Sequence, residues 1–104
     1  MLYIMNSPIL TAPGKYVYEQ IDIERARRLL KEPFESAIGH EAAARFLSKL
    51  IGVEVPANRV SIAMRPGDCA IIFRVQRRLE EGKVLTEEEL RKVPYELGLL
   101  RREE

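Results

Sequence analysis

The fold of this 104-residue chain is decided by the stretch RPGDCAIIFRVQ, which spans residues 65–76. Pro66-Gly67 is the central pair that a type II turn favours, so we expect the chain to reverse direction there. The apolar run that follows the turn has Ile71, Phe73 and Val75 on one face, and this pattern predicts a strand.

The residues before this turn predict a partner for that strand. Apolar residues alternate with small ones from Val60 to Met64, and such alternation is typical of a half-buried strand. We therefore expect a hairpin in which residues 60–64 pair with residues 69–76.

Short apolar runs and helical patterns follow one another along the rest of the chain, without a repeat or a linker. Capping residues mark the helices: Asp22 is a favoured N-cap, Gly52 suits a helix end, and Thr86 opens a capping box. The predicted elements are strands over residues 2–5, 16–20, 60–64, 69–76 and 97–100, and helices over residues 23–31, 37–51 and from 86 to before 94. We expect one α/β domain over residues 1–104, with a mixed sheet of about five strands flanked by about three helices.

The composition indicates a folded protein with no overall attraction to nucleic acids or membranes. The chain has 17 Lys and Arg against 16 Asp and Glu, for a formal net charge of +1, and 46% of its residues are hydrophobic. Cys69 is the single cysteine, so no intrachain disulfide can form, which fits a reducing compartment. No apolar run approaches the roughly 18 residues of a membrane span, and residues 1–5 lack the basic start of a signal peptide. We expect a cytoplasmic protein with no membrane partner.

His40 is the single histidine of the chain and lies near the start of the second predicted helix. Imidazole is the side chain whose ordinary pKa lies nearest neutral pH, so His40 is the first candidate for acid–base chemistry without a cofactor. His40 also extends the apolar stripe of its helix, and that position suits a structural histidine as well. One histidine and one cysteine cannot build a zinc site, and no carboxylate spacing resembles a calcium loop, so we expect neither a metal nor a cofactor.

Other polar groups stand where predicted strands and helices meet. They are Asn6, Arg59, Arg74, Arg77, Arg78 and Glu81, and the pair Gly39-His40 stands at a helix N-terminus. Helix N-termini favour phosphate, and such termini often converge on one crevice in layered α/β folds. Histidine, arginine and a helix N-terminus without a metal suggest phosphodiester cleavage in RNA, where the 2′-hydroxyl is an internal nucleophile. On the residues alone, an interaction module remains the alternative, and Arg78 with Glu81 could equally be an i, i+3 surface pair.

Three segments, in a fixed order, resemble one protein family. They are AIGHE at residues 37–41, NRV at residues 58–60 and RLEEGKVLTEE at residues 78–88. Together they resemble the viral ring nucleases, which are type III anti-CRISPR proteins of archaeal viruses, phages and bacterial mobile elements. The match covers most of residues 36–92, with a looser fit in the opening stretch Tyr3-Ile4-Met5-Asn6.

The resemblance implies a metal-independent enzyme that forms a homodimer and has no other stable protein partner. Its substrate would be cyclic tetraadenylate, the second messenger of type III CRISPR defence, cleaved to linear di-adenylate with a 2′,3′-cyclic phosphate. The implied catalytic residues are His40, Arg78 and Glu81, the implied ligand contacts are Asn6 and Arg59, and Gly39 and Arg74 complete the predicted ligand-binding set. If a virus encodes the protein, the resemblance implies that it acts in the cytoplasm of the host cell.

Two other functions remain open. The basic cluster from Arg25 to Lys31, together with residues 74–78, would suit a DNA-binding module that contacts backbone phosphates. A protein that binds cyclic oligoadenylate without cleaving it would be a sensor or a sponge for the messenger.

Overall fold

The computed structural model describes residues 1–6, 12–76, 86, 88–89 and 92–104. In chain order, its elements are β1 (Leu2–Met5), β2 (Tyr16–Gln20), α1 (Ile23–Leu29), β3 (Phe34–Ser36), α2 (Glu41–Ile51), β4 (Cys69–Val75) and β5 (Tyr95–Arg102). The strands form one five-stranded sheet in the order β2-β5-β4-β1-β3. The predicted α/β class and mixed sheet are therefore confirmed.

The position of β1 between two parallel neighbours determines which residues share an edge of the sheet. Leu2 is opposite Phe34 of β3 on one side and opposite Cys69 of β4 on the other. β5 runs antiparallel to both β4 and β2. The carboxyl ends of β1, β3 and β4 therefore lie along one edge of the sheet, which we call the carboxyl edge.

α1 and α2 pack on one face of the sheet and bury the main core. The buried side of α2 includes Phe46, Leu47 and Ile51, which lie on the stripe predicted from the sequence. Phe46 meets Phe73 of β4 edge to face, with the ring centroids 5.5 Å apart. Such a pair adds about 0.5–1.5 kcal/mol beyond the area that it buries. Because α2 follows β3 closely in the chain, this packing holds the first turn of α2 near the carboxyl edge.

The Pro-Gly turn before β4 is present, as predicted. Asp68 N donates a hydrogen bond to Arg65 O at 2.9 Å, and Gly67 has a φ of +91°. The buried Asp68 carboxylate accepts hydrogen bonds from Arg65 N at 2.9 Å and from the amino-terminal ammonium at 3.2 Å. Burial alone would raise the pKa of Asp68, but these hydrogen bonds and the positive charges beside it hold that pKa below its ordinary value.

The prediction of a hairpin around this turn is wrong. Residues 60–64 form no strand, because β1 and β5 already occupy the two sides of β4. Met64 is instead buried on the second face of the sheet, where it packs with Ala70 and Ile72. The alternation in residues 60–64 therefore reflects packing on a sheet face, and not pairing along a strand.

The sequence analysis missed β3 and began α2 too early. β3 has only 3 residues and comes directly after Pro33, which leaves too short a run for a two-residue period to be recognised. α2 begins at Glu41 and not at residue 37, while Ala37 N donates to Ile4 O of β1 at 2.7 Å. Residues 37–40 are therefore a connection from β3 to α2 along the carboxyl edge.

Hydrogen bonds and backbone angles confirm three predicted capping signals. Asp22 Oδ1 accepts from Arg25 N at 2.8 Å, and Gly52, with a φ of +70°, ends α2. Thr86 Oγ1 accepts from Glu89 N and Glu89 Oε1 accepts from Thr86 N, each at 3.2 Å, which is the reciprocal pattern of a capping box. Most of that third predicted helix lies outside the described residues. Of the helices that the structure describes, none has the length and apolar character of a membrane span.

Candidate functional site

Several predicted site positions come together at the carboxyl edge because their strands are parallel. Asn6 directly follows β1, the pair Gly39-His40 comes shortly after β3, and Arg74 is the second-last residue of β4. β1 lies between β3 and β4, so Asn6 stands between the other two positions. In open α/β sheets, ligands bind in the crevice outside the carboxyl ends of the strands. The edge is therefore the candidate site of this fold.

His40 is the N-cap residue of α2. Its backbone has a φ of −116° and a ψ of 114°, and its Nδ1 accepts a hydrogen bond from Ala43 N at 3.3 Å. Nδ1 carries no proton in this arrangement, so the proton of the neutral ring is on Nε2. The residue is half-buried and lies outside the apolar core. The structural alternative expected from the sequence is a histidine on the apolar stripe of the helix, but His40 precedes α2 and caps it instead. The cap uses Nδ1 and not Nε2.

Gly39 allows Arg59 to approach the backbone beside His40. Arg59 Nε donates a hydrogen bond to Gly39 O at 2.8 Å. A Cβ atom at position 39 would lie 2.9 Å from Arg59 Cγ, which is closer than real Cβ contacts. The two residues were predicted separately as ligand-binding positions, and the structure brings them together as neighbours of the single histidine.

Two residues near this contact were not assigned a role from the sequence. Asn58 Nδ2 donates to Ser36 O at 2.8 Å, and Ser36 Oγ donates to Pro56 O at 2.6 Å. The segment 56–59 therefore lies along the connection that carries His40. The position of Asn58 within the motif NRV was a signal for this role, but polar residues in irregular segments have no periodicity that indicates where their side chains point.

The remaining predicted catalytic residues, Arg78 and Glu81, lie outside the described residues. Their assignment therefore stays a prediction. Arg74 is exposed and shares its side of β4 with Ala70 and Ile72, so its side chain lies on the sheet face opposite the helices.

Contacts within the protein engage part of the basic cluster on α1. Arg25 pairs with Glu19 at 3.0 Å, and Arg27 donates to the backbone oxygens of Leu50 and Ile51 at 3.0 and 3.2 Å. Because Arg27 satisfies carbonyl groups at the end of α2, it stabilises the pair of helices. This use of the cluster weakens the case for a DNA-binding surface on α1.

No group of three or more His, Cys, Asp or Glu side chains that could hold a metal ion occurs in the described part of the chain. The absence of a metal and of a cofactor from the reaction stays an expectation from the sequence.

The fold and the site define a class of protein: a small α/β domain whose polar groups gather at the carboxyl ends of parallel strands. The sequence matches the STIV B116-like family over residues 2–97. The chain therefore belongs to this family, which is the family of the viral ring nucleases that its motifs resemble.

Similar proteins occur in viruses and in a bacterium. Protein 26 of Sulfolobus islandicus filamentous virus is 46% identical over 105 residues, which cover 95% of this chain and 89% of the relative. YddF of Bacillus subtilis is 35% identical, and the match covers 94% of each chain. The solved structure of B116 of Sulfolobus turreted icosahedral virus has a TM-score of 0.79 at 26% identity, and it covers 97% of this chain and 98% of that chain. The likeness thus extends over the whole domain and is not limited to a motif.

Proposed function

We propose that this protein is a metal-independent ring nuclease that cleaves cyclic tetraadenylate and thereby antagonises type III CRISPR signalling in the cytoplasm of the cell. The observation that carries the proposal is the position of the single histidine, beside Gly39 and Arg59 at the carboxyl edge, in a chain of this family.

The reaction is an internal transfer at phosphorus. A ribose 2′-hydroxyl attacks the adjacent phosphorus in line and gives up its proton to solvent, the bond from phosphorus to the 5′-oxygen breaks, and the 5′-oxygen takes up a proton. The products carry a 2′,3′-cyclic phosphate and a 5′-hydroxyl. The protein has to align the 2′-hydroxyl, offset the charge on the phosphate and protonate the leaving oxygen. Proton transfer by a positioned side chain typically contributes about 10²–10⁴-fold in rate.

His40 is the acid in this proposal, and that role requires it to leave the cap. A proton on Nδ1 turns the acceptor of the Ala43 N–H bond into a second donor, so the imidazolium cannot keep the bond. A phosphate oxygen at the start of α2, where an anion is favoured, would accept from the Ala43 N–H in place of the ring. Substrate binding would thus release the charged ring towards the 5′-oxygen.

The other predicted residues have supporting roles. Arg78 would offset the charge that grows on the phosphate, and Glu81 would orient Arg78 or His40. Asn6, Gly39, Arg59 and Arg74 would contact the ligand. In a homodimer, the two-fold axis would present one His40 to each of two opposite linkages, which accounts for linear di-adenylate as the product.

Cleavage assays with two His40 variants test the proposal. Labelled cyclic tetraadenylate is incubated in EDTA with the wild type, with His40→Ala and with His40→Asn. Asparagine is the matched control because it is a favoured N-cap and so keeps the start of α2 intact while removing the imidazole. We expect rapid linearisation by the wild type and at least a hundredfold slower cleavage by both variants, with ligand binding retained.

Other outcomes point to other functions. Equal rates for the wild type and His40→Asn would exclude His40 as the acid. Tight binding without products would leave a sensor or sponge. The DNA-binding module would be favoured if the protein did not bind cyclic tetraadenylate but retarded duplex DNA in a gel, and if this DNA binding weakened steeply with salt.

A further inference from the structure

The connection between β3 and α2 carries His40 but has a strand partner on one side only. Within the described part of the chain, β3 is an edge strand of the sheet and pairs with β1 alone. Ala37 N, which follows β3, still donates to Ile4 O of β1 at 2.7 Å. Backbone groups on the outer side of this connection must find other partners, or they would be left free to move.

Asn58 supplies two of these partners. Its backbone N donates to Ile38 O at 2.7 Å, and its side-chain Nδ2 donates to Ser36 O at 2.8 Å. One residue therefore holds two carbonyl groups that flank Ala37. The side-chain bond is the one that a substitution can remove, because the backbone bond exists for any residue at position 58.

Burial makes this attachment rigid. Ile38 is 0% exposed and Ser36 is 5% exposed, so neither can shift without disturbing the core. Ser36 Oγ also accepts from Ile38 N at 3.4 Å and donates to Pro56 O at 2.6 Å. The backbone is thus fixed up to the second residue before His40, and Arg59 holds the next carbonyl group, that of Gly39.

We propose that Asn58 is a positioning residue for His40. It fixes the backbone from which the imidazole projects, so the imidazole caps α2 in one orientation before substrate binds and starts from one position when the substrate releases it. Asn58 does not touch the ligand itself. The effect of Asn58 on the orientation of the imidazole depends only on the structure, whereas its effect on cleavage rests on the proposed function. Misplacement of a reacting group by about 1 Å can cost on the order of 10²-fold in rate.

The test replaces the amide and leaves its shape almost unchanged. Asn58→Asp removes the Nδ2 donor and presents an acceptor to Ser36 O, and Asn58→Ala removes the side-chain contact. Ser48→Ala is the matched control, because Ser48 Oγ accepts from Val55 N at 2.9 Å and donates to Ala44 O at 2.8 Å. Loss of the Ser48 hydroxyl weakens the attachment of residues 52–59, the segment that contains Asn58, to α2, and it leaves the contacts of residues 36–40 in place.

The first readout is the imidazole itself. His40 is the single histidine, so its ring nitrogens give one unambiguous set of NMR signals. At a pH where the ring is neutral, we expect the wild type and Ser48→Ala to show distinct Nδ1 and Nε2 shifts, as a fixed tautomer requires. In both Asn58 variants the two shifts should move towards their average.

The second readout is kinetic. With cyclic tetraadenylate, kcat of both Asn58 variants should fall by about tenfold or more while KM changes less, and Ser48→Ala should keep the wild-type kcat. Ring signals that are unchanged in folded Asn58→Asp would overturn the inference. If the wild type does not cleave cyclic tetraadenylate, the proposed function fails, and the NMR comparison of the imidazole signals still decides the role of Asn58. Should Asn58→Asp not fold, Asn58→Ser takes its place, because serine keeps a shorter hydrogen-bond donor. Distinct nitrogen shifts in Asn58→Ser together with averaged shifts in Asn58→Ala would support the role of the donor. Distinct shifts in both variants would refute it.

Discussion

Replacing His40 by alanine or by asparagine separates the two roles of this residue. The hydrogen bond from Ala43 N to His40 Nδ1 is 3.3 Å long, just beyond the usual 2.7–3.2 Å for a nitrogen donor, so the cap is a weak one. Loss of an N-cap costs about 0.5–2 kcal/mol, and we take the lower end of that range, about 0.5–1 kcal/mol, for His40→Ala. In a domain of this size that corresponds to a melting temperature lower by roughly 2–8 °C.

His40→Asn should show no such loss, because its side-chain oxygen accepts from the same N–H group at a favoured N-cap. The assay is thermal unfolding followed by circular dichroism, at a pH where imidazole is neutral, with cleavage measured on the same samples. We expect the alanine variant alone to melt early, although both variants lose cleavage. A drop in the melting temperature of His40→Asn as large as that of His40→Ala would refute the capping role. Cleavage by His40→Asn at the wild-type rate would refute the catalytic role.

Three further predictions concern the turn before β4, the contact beside His40 and the third helix. Thr86→Ala should lower stability by about 1 kcal/mol through loss of its cap, and an unchanged urea midpoint would mean that the capping box does not persist in solution. Gly39→Ala should weaken binding of cyclic tetraadenylate, measured by calorimetry, because its Cβ displaces Arg59; the control Gly52→Ala strains the end of α2 and should lower stability without weakening binding. Asp68 has a lowered pKa in the folded state, so its contribution is present above about pH 4 and is lost as the pH falls through the folded value. Urea midpoints at pH 5 and pH 3 should therefore fall more for the wild type than for Asp68→Asn, and equal falls would contradict the assignment.

The parts of the fold that the sequence predicted are those in which one local cause determines the structure. β1 and β2 have the predicted limits because their short apolar or β-branched runs are bounded by turn residues, with Asn6 after β1 and Gly14 shortly before β2. The end of α2 is predicted because Gly52 tolerates a φ of +70° without strain. The prediction of a strand at residues 60–64 was wrong because alternation shows only that one side of a segment is buried. It does not show whether the segment pairs along a strand or packs on a sheet face.

The same distinction applies to the candidate site. His40 could be assigned from its chemistry and from its place near a helix start, and the proximity of Asn6 could be expected from the general position of strand ends in layered folds. The contribution of Asn58 could not be predicted, because its two hydrogen bonds cross between segments 20 or more residues apart in the chain. β3, which brings Ser36 to Asn58, has only 3 residues and gives no period in the sequence.

The division of the molecule into a core face and a carboxyl edge has a consequence for variants. The main apolar core lies between the helices and one face of the sheet, whereas Asn6 and Arg74 at the edge are exposed. Exposed polar side chains contribute little to the free energy of unfolding, so substitutions there should change ligand binding while the melting temperature stays nearly constant. His40, Asn58 and Arg59 differ from them because each also holds backbone groups at or just before the start of α2. Binding and stability are therefore coupled at the connection 37–40 and nearly independent at the other edge positions.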